Sequence, residues 1–296
     1  TTFIGNCVSM QTLKFTKMQG LGNDFVLFDF INKTPIIFSV QQLQFLANRK
    51  LGIGCDQILL IERQLSNIND GNDHTYNYSI FNADGNKANH CGNGARCVIQ
   101  YLYNHYPINT PQITLSLNNQ CISGYKNHNG TISVNMGHPA FTPATIPFTH
   151  KANADNIYAL HIRGESITFG IASVGNPHAL IQLDNTAELN NTAHLMHIGQ
   201  MLQNSGYFPD GVNVNFYVVL DKSQLQLRTF ERGCGFTEAC GSGATATACY
   251  AILKHQVVSP VTVVMPGGTL NIEWNTDNAI TMTGPANEVF AGQINI

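Results

Sequence analysis

Residues 231–246 read Glu-Arg-Gly-Cys-Gly-Phe-Thr-Glu-Ala-Cys-Gly-Ser-Gly-Ala-Thr-Ala, with Cys240 set directly before a Gly-Ser-Gly turn and a run of small residues. The alternating stretch Gln224 to Phe230 enters from the left as a strand, and Ala244 to Leu253 leaves as a buried helix. The turn between them gathers a thiol, unpaired backbone N–H groups and the positive end of a helix dipole. Such a terminus favours a thiolate or a bound carboxylate, because its first N–H donors have no intrahelical acceptor. Cys240 therefore reads as a helix-capping, reactive cysteine beside an anion site.

The pattern occurs twice. Around Cys91 the chain reads Phe-Asn-Ala-Asp-Gly-Asn-Lys-Ala-Asn-His-Cys-Gly-Asn-Gly-Ala-Arg-Cys, again after an alternating stretch, Tyr76 to Ile80. Asn82 precedes Cys91 by nine residues, as Glu231 precedes Cys240. Gly22-Asn23-Asp24-Phe25 and Gly175-Asn176-Pro177-His178 place their asparagines 68 and 64 residues before the two cysteines. Met136-Gly137 and Thr283-Gly284 close the units, their glycines 46 and 44 residues after them. Four landmarks in one order at nearly one spacing indicate an internal duplication. Two like domains related by a pseudo-twofold axis then present both cysteines to one interdomain cleft.

At 296 residues the chain is long enough for two domains, each with its own core. A net charge of −3 with only 11% charged residues gives no basic field for nucleic acid. No run of 18 apolar residues suits a membrane span, and Thr1 to Lys17 lacks the pattern of a secretory signal, so a cytoplasmic enzyme is expected. The eight cysteines, at 7, 55, 91, 97, 121, 234, 240 and 249, are expected to be reduced thiols. Without a C-x-x-C pair or an H-x-x-x-H site, no structural metal is expected. Cys97 and Cys249 fall inside the helices after the two turns and read as core.

Taken in order, residues 1–9 read as an upstream extension or a tag remnant. The first unit spans 10–137: a strand from Leu13, a loop Gln19 to Asp24, and a strand Phe25 to Phe30. A helix capped by Ser39 then runs to Arg49 and ends at Gly52. An apolar strand Ile58 to Ile61, a polar hairpin Asn67 to His74, and a helix from Cys91 to about Tyr103 follow. Strands at Ile113 to Leu117, Cys121 to Tyr125 and Thr131 to Asn135 complete the unit. Pro139, Pro143 and Pro147 mark a linker between Gly137 and Pro147. The second unit, 138–285, repeats the plan. It has strands near Ile157 to Arg163 and Ser166 to Val174, the Asn176 loop and a helix near Thr192 to Asn204. Strands at Asn213 to Leu220, Val261 to Met265, Thr269 to Trp274 and Ala279 to Thr283 follow. Val289 to Ile296 stands outside the repeat, and residues 286–296 are expected to return to the first domain. The fold class is α+β.

Two thiols on opposite sides of one cleft suit the inversion of a carbon centre. A base removes a proton from one face while an acid supplies one to the other, and the roles exchange in the reverse direction. One thiol is then thiolate and its partner protonated, a coupled pair. The N–H groups of Gly92, Asn93 and Gly94, and of Gly241, Ser242 and Gly243, are placed to stabilise charge developing on the adjacent carboxylate. The arrangement requires no cofactor. A single C-G-x-G reads as a packing cysteine at a helix start; its duplication favours catalysis.

The motifs G-L-G-N-D-F, N-A-D-G-x-x-A-x-x-C-G-N-G-A-R, G-N-P-H and E-R-G-x-G-x-T-x-A-C-G-S-G together resemble the diaminopimelate epimerase family, from about Leu13 to the C-terminus. The resemblance implies interconversion of LL- and meso-2,6-diaminopimelate, a lysine and peptidoglycan precursor, without pyridoxal phosphate. It also implies two domains, each a curled mixed or antiparallel sheet around a central helix, closing on the substrate. Cys91 and Cys240 take the acid and base positions. Substrate contacts fall on Asn23, Gln57, Asn82, Gly92, Asn93, Asn176, Asn213, Glu231, Arg232, Gly241 and Ser242. Arg232 suits the distal carboxylate bidentately and Glu231 the distal ammonium. His178 and Glu231 match positions that tune the cysteines, downward for an imidazolium and upward for a carboxylate. A homodimer is implied as well. The chain departs from the usual pattern at His90, where glutamine is expected, and at Cys234, where a small residue is usual and a third thiol invites oxidation.

Three alternatives keep the same residues. A proline-racemase-like enzyme would also use paired cysteines, without needing Arg232 and Glu231 for a second amino-acid end. A non-catalytic amino-acid-binding protein would bind without exchanging the α-hydrogen. A thiol redox protein is disfavoured by the missing C-x-x-C, although a Cys91 to Cys240 disulfide that inactivates the enzyme is expected on oxidation.

Overall fold

The computed structural model describes residues 11–63, 75–88, 91–118, 120–162 and 164–296. In the first half the chain forms β1 (Thr12–Gly20), β2 (Asn23–Asp29), α1 (Val40–Ala47), β3 (Gln57–Arg63), β4 (Thr75–Asn82), α2 (Gly92–His105), β5 (Ile113–Leu117), β6 (Gln120–Lys126) and β7 (Ile132–Asn135). The second half begins with β8 (Tyr158–Ile162), β9 (Glu165–Ser173), β10 (Pro177–Gln182), α3 (Thr186–Leu189), α4 (Thr192–Gln203) and β11 (Asn213–Asp221). It continues with β12 (Gln224–Glu231), β13 (Gly235–Phe236), α5 (Gly241–Leu253), β14 (Val261–Met265), β15 (Gly268–Glu273), β16 (Thr281–Gly284) and β17 (Asn287–Asn295).

The duplication reappears in the hydrogen bonding. Along β1 to β7 the neighbours pair antiparallel, parallel, antiparallel, parallel, antiparallel, antiparallel. The same sequence of senses runs through β9, β10, β11, β12, β14, β15 and β16. The two series join where β7 and β16 pair antiparallel, Val134 opposite Met282 and Ser133 opposite Thr283. At that seam the Ser133 and Thr283 hydroxyls meet at 2.7 Å.

Each series is closed by a strand from the other end of the connection. β17, which follows β16, pairs antiparallel with β1, Thr12 opposite Asn295. β8, which follows β7, pairs antiparallel with β9, Tyr158 opposite Phe169. Val289 to Ile296 therefore does not stand outside the repeat: β17 is to β16 and β1 what β8 is to β7 and β9. Local periodicity could not show this, because the match lies in which distant strand each one joins.

The central helices are buried on nearly every side, as expected for α5, which is apolar or small all round, whereas α2 also buries the polar Asn93, Arg96 and Gln100. In α2, Ala95, Val98, Ile99 and Leu102 are fully buried, and in α5 so are Ala244, Ala246, Ala248 and Ala251. Both belong to one core cluster shared by strands of both halves. Each buried Ile or Leu contributes about 1.5–3 kcal/mol of transfer free energy. Two outer layers complete the packing: α1 covers Phe28 and Ile58 with Leu43 and Leu46, and α3 and α4 cover Phe216 and Phe230 with Leu189, Leu195 and Leu202.

Several element boundaries differ from expectation for identifiable reasons. The expected loop Gln19 to Asp24 is a two-residue hairpin, with Leu21 and Gly22 at φ 58° and 84° and Gly20 paired to Asn23. Two successive positive-φ residues match the twist of the flanking strands. Asn23 thus begins β2. Helix α1 stops at Ala47 rather than Arg49, because Asn48 turns extended and its Oδ1 accepts from the N–H groups of Lys50 and Leu51. Its start is as expected, with Ser39 and Gln42 forming a reciprocal capping box. Helix α5 begins at Gly241, so Gly-Ser-Gly is its first turn rather than a separate loop. The Asn176 loop leads into β10, a strand absent from the expected order, whose first residue is Pro177. The expected hairpin at 67–74, together with Cys7, His90 and residues 1–9, lies outside the described residues. No helix among the described residues is long and apolar enough to cross a membrane.

Candidate active site

Cys91 and Cys240 occupy the same position in their halves, each the extended N-cap residue of the central helix. The Gly94 N–H donates to Cys91 Sγ at 3.3 Å, whereas Cys240 makes no cap bond and its Sγ lies 3.5 Å from Ser242 Oγ. The helix starts meet closely enough to require glycine. A Cβ on Gly241 would come within 2.8 Å of Asn93 Oδ1, and one on Gly92 within 2.6 Å of Met282 Cε. Asn93 bridges the halves, its Nδ2 reaching both Asn23 Oδ1 and the Ala239 carbonyl at 3.4 Å.

A cavity of about 1020 Å³ opens over these termini. Thirteen of the fourteen expected site residues line it: Asn23, Gln57, Asn82, Cys91, Gly92, Asn93, Asn176, Asn213, Glu231, Arg232, Cys240, Gly241 and Ser242. Strand register explains the grouping. Gln57 ends up opposite Asn82 across β3 and β4 and donates to its Oδ1 at 2.9 Å. Asn213, at the start of β11, accepts the Arg232 backbone N–H at 2.9 Å. Asn176 Nδ2 donates to Ser242 Oγ at 3.2 Å. Gln57 Oε1 and Asn93 Oδ1, both on cavity-lining residues, find no donor within the protein. Acceptors of this kind suit an ammonium.

The fourteenth residue, His178, lies behind the lining and is fully buried. Its Nε2 lies 3.1 Å from Asn176 Oδ1 and its Nδ1 lies 3.2 Å from Asn215 Nδ2, which fits a neutral ring donating through Nε2. Burial lowers its pKa to about 4. An imidazolium that draws down a thiol is therefore not present at neutral pH; the ring instead fixes the Asn176 amide.

Both thiols are pushed up rather than down. Burial raises Cys91 to about 11, with Glu231 adding to it and the Gly94 N–H and Arg96 opposing. Cys240 is likewise raised well above the ordinary thiol value, first by burial and then by the Glu231 carboxylate. The helix start does favour the thiolate, as expected, but desolvation outweighs it. Glu231 is itself raised by burial, opposed by its bonds to Thr237 and Cys240. Thr237 Oγ1 donates to Glu231 Oε1 at 2.6 Å. The carboxylate thus adjoins Cys240 directly, while the Arg232 guanidinium donates to the Asp210 carbonyl away from it.

The reading of the sequence missed Asp56, Thr237 and Asn215. Asp56 lines the cavity and accepts from Asn23 Nδ2 at 2.8 Å. Asn215 supports His178 and donates to the Gly243 carbonyl at 3.1 Å. The period-two spacing Asn213, Asn215 was a usable signal, since it places both amides on one face of a strand. Cys234 is exposed and lines the cavity as a third thiol.

By overall shape the chain is similar to the hydroxyproline epimerase of Agrobacterium vitis, solved with trans-4-hydroxy-L-proline (TM-score 0.64, 16% identity, 96% of this chain and 93% of that one). It is also similar to a PhzF-family phenazine biosynthesis protein of Bacillus anthracis (TM-score 0.63, 15% identity, 97% and 100%). These likenesses speak for the fold alone. Sequence comparison goes further. The family profile described as diaminopimelate epimerase matches residues 15–142 and 170–289. Curated relatives named diaminopimelate epimerase include those of Nitrosospira multiformis (40% identity, 96% of this chain and 99% of the relative) and Legionella pneumophila (40%, 95% and 99%). That of Coxiella burnetii is 38% identical over 95% of this chain and 98% of its own. Identity of this depth, carried through both halves and to nearly the full length of each relative, makes the chain a member of the diaminopimelate epimerase family.

Proposed function

We propose that the protein interconverts LL- and meso-diaminopimelate, with Cys91 and Cys240 as the two proton carriers and the units divided near residue 137. The observation that carries the reading is the placement of two pseudo-equivalent N-cap cysteines in one cavity whose lining joins both halves. The relatives' name supplies the substrate.

In one direction a thiolate takes the α-hydrogen as a proton: the C–H bond breaks, an S–H bond forms, and the electron pair spreads onto the substrate carboxylate. The opposing thiol then delivers its proton to the other face and becomes the thiolate, so each turnover exchanges the roles. The α-carboxylate lies between the first turns of α2 and α5, where both helix dipoles favour the added charge. Because burial and Glu231 hold both thiols protonated at neutral pH, the thiolate depends on a cation entering the cleft; the substrate ammonium is that cation. Glu231 offers it a buried carboxylate, and Gln57 and Asn93 offer unpaired acceptors. Arg232 takes the distal carboxylate.

The test is α-proton exchange from LL-diaminopimelate in heavy water under reducing conditions, read by mass and chirality. Wild type is expected to exchange and invert, and Cys91→Ser and Cys240→Ser to lose inversion. Binding without exchange by wild type would leave only a binding protein.

A further inference from the structure

The two helix starts rest on different floors, although strand register makes them equivalent. Phe25 pairs with Gln57 as His178 pairs with Asn213, so Phe25 answers to His178; Leu59 and Asn215, each two residues further on, answer to one another. A Cβ on Gly94 would meet Leu59 and Phe25, whereas one on Gly243 would meet Thr229 Oγ1 and Asn215 Oδ1. Apolar side chains therefore support the start of α2, and a fully buried amide and imidazole support that of α5. The two sulfurs are served differently as well. Cys91 Sγ accepts the Gly94 N–H at 3.3 Å, whereas Cys240 makes no cap bond and has the Ser242 hydroxyl 3.5 Å away.

One carbonyl sets the direction of every hydrogen bond in the second floor. Asn215 Nδ2 lies 3.1 Å from the Gly243 carbonyl, 3.0 Å from Thr247 Oγ1 and 3.2 Å from His178 Nδ1. The carbonyl can only accept, and the Thr247 hydroxyl already directs its proton there at 2.7 Å. Turning the amide over would set Oδ1 against that oxygen. Nδ2 therefore faces His178, even though Oδ1 is left beneath Gly243 without a protein donor. His178 Nδ1 then accepts, and the proton of the neutral ring sits on Nε2, 3.1 Å from Asn176 Oδ1. This orients the Asn176 amide with Nδ2 toward Ser242 Oγ at 3.2 Å. A hydroxyl that accepts there directs its own proton to Cys240 Sγ. The relay begins and ends in the first turn of α5.

We infer that Asn215 is a positioning residue for Cys240: through His178, Asn176 and Ser242 it aims a hydroxyl proton at Sγ, supplying by side chains the donor that Gly94 supplies to Cys91 through the backbone. The inference rests on the two-thiol reading above and adds what serves the second sulfur. Both sulfurs rest as thiols; the donor acts whenever Cys240 holds the thiolate, because a hydrogen bond to the charged form stabilises it. Glu231 from β12 is the charged group that faces Cys240 and opposes its ionisation, and His178 from β10 lies behind, neutral. In the first half Leu59 and Phe25 have no group able to form such a relay.

The experiment uses substrate-free protein near neutral pH. Long-range proton–nitrogen correlation spectra of histidine-labelled protein, with His178 identified by its loss in His178→Gln, are expected to show the Nε2–H tautomer. An Nδ1–H tautomer or an imidazolium overturns the inference. Iodoacetamide alkylation at one fixed pH, with Cys240 and Cys91 followed in the same sample by peptide mass, reads the sulfur. Ser242→Ala is expected to raise the Cys240 titration by about one pH unit. Alkylation then slows by about threefold, since the more basic thiolate regains part of the loss in reactivity, with Cys91 unmoved. Asn215→Leu, which copies Leu59, is expected to do the same, and the double variant no more than either. An unmoved ratio in Ser242→Ala, or losses that multiply in the double variant, overturns the inference. Should Asn215→Leu not fold, the wild-type tautomer and Ser242→Ala decide. Neither readout needs turnover, so a protein that passes both yet exchanges no α-proton refutes the epimerase reading and leaves the relay standing.

Discussion

His178 has both ring nitrogens engaged, Nε2 toward Asn176 and Nδ1 toward Asn215, and no surface reached by solvent. Its folded pKa of about 4 lies below the ordinary 6.5, so the unfolded chain takes up a proton that the native state refuses. Stability from this group is full above about pH 6.5 and is lost as pH falls, until near pH 4 the native ring is protonated as well. Between pH 7 and pH 5 the loss is about 2 kcal/mol. His178→Gln removes the titration, so its urea midpoint is expected to fall less over that interval than that of wild type. Equal losses would mean that the ring is not held neutral. The motif G-N-P-H singled this residue out, but the sign of its effect required burial, which sequence spacing does not encode.

At the scale of elements, α2 and α5 are organised by how nearly their first turns touch. Thr245 and Thr247 return their hydroxyls to the carbonyls of Gly241 and Gly243, one turn back, so that buried polar groups in α5 stay paired. Gly241→Ala adds about 1 kcal/mol of helix propensity while pressing a methyl against Asn93 Oδ1. The two effects offset each other in stability but not in geometry. The expected outcome is a kcat/KM lowered by about a hundredfold, as for a misplacement near 1 Å, with the melting temperature within roughly 4 °C of wild type. Unchanged kcat/KM would show that the separation of the helix starts is not critical. The small residues after each cysteine were readable as buried helix, whereas the contact that makes Gly241 obligatory comes from Asn93, 148 positions away.

Across the whole molecule, the exchange of closing strands ties the halves together. β17 seals β1, with Phe290 edge-on to Phe15 at 5.9 Å and Gly292 beneath the Phe15 ring. Removing residues 287–296 would open the β1 edge and uncover Leu13 and Phe15, a loss of several kcal/mol against a typical total of about 5–15. The truncated chain is expected to lose its cooperative thermal transition by far-UV circular dichroism and to aggregate. A native spectrum with an unshifted transition would make β17 an ornament. The expectation that residues 286–296 return to the first half rested on their lying outside the repeat, whereas it is the pairing of β17 with β1 that joins them to it. That β8 is their counterpart was not legible in the sequence, since the two strands share a pairing rather than a motif.

The sequence by itself determined the duplication and the two cysteines, which follow from local periodicity and from spacings that survive in the chain. Its resemblance to the family pointed to thirteen of the residues that line the cavity, and Gln57 with Asn82, or Asn213 with Arg232, need only strand register to meet. The tertiary structure alone decided the charges. Whether Cys91 and Cys240 rest as thiols and whether His178 carries a proton depend on desolvation and on neighbours from distant segments. Those quantities arise only when distant segments exclude water together.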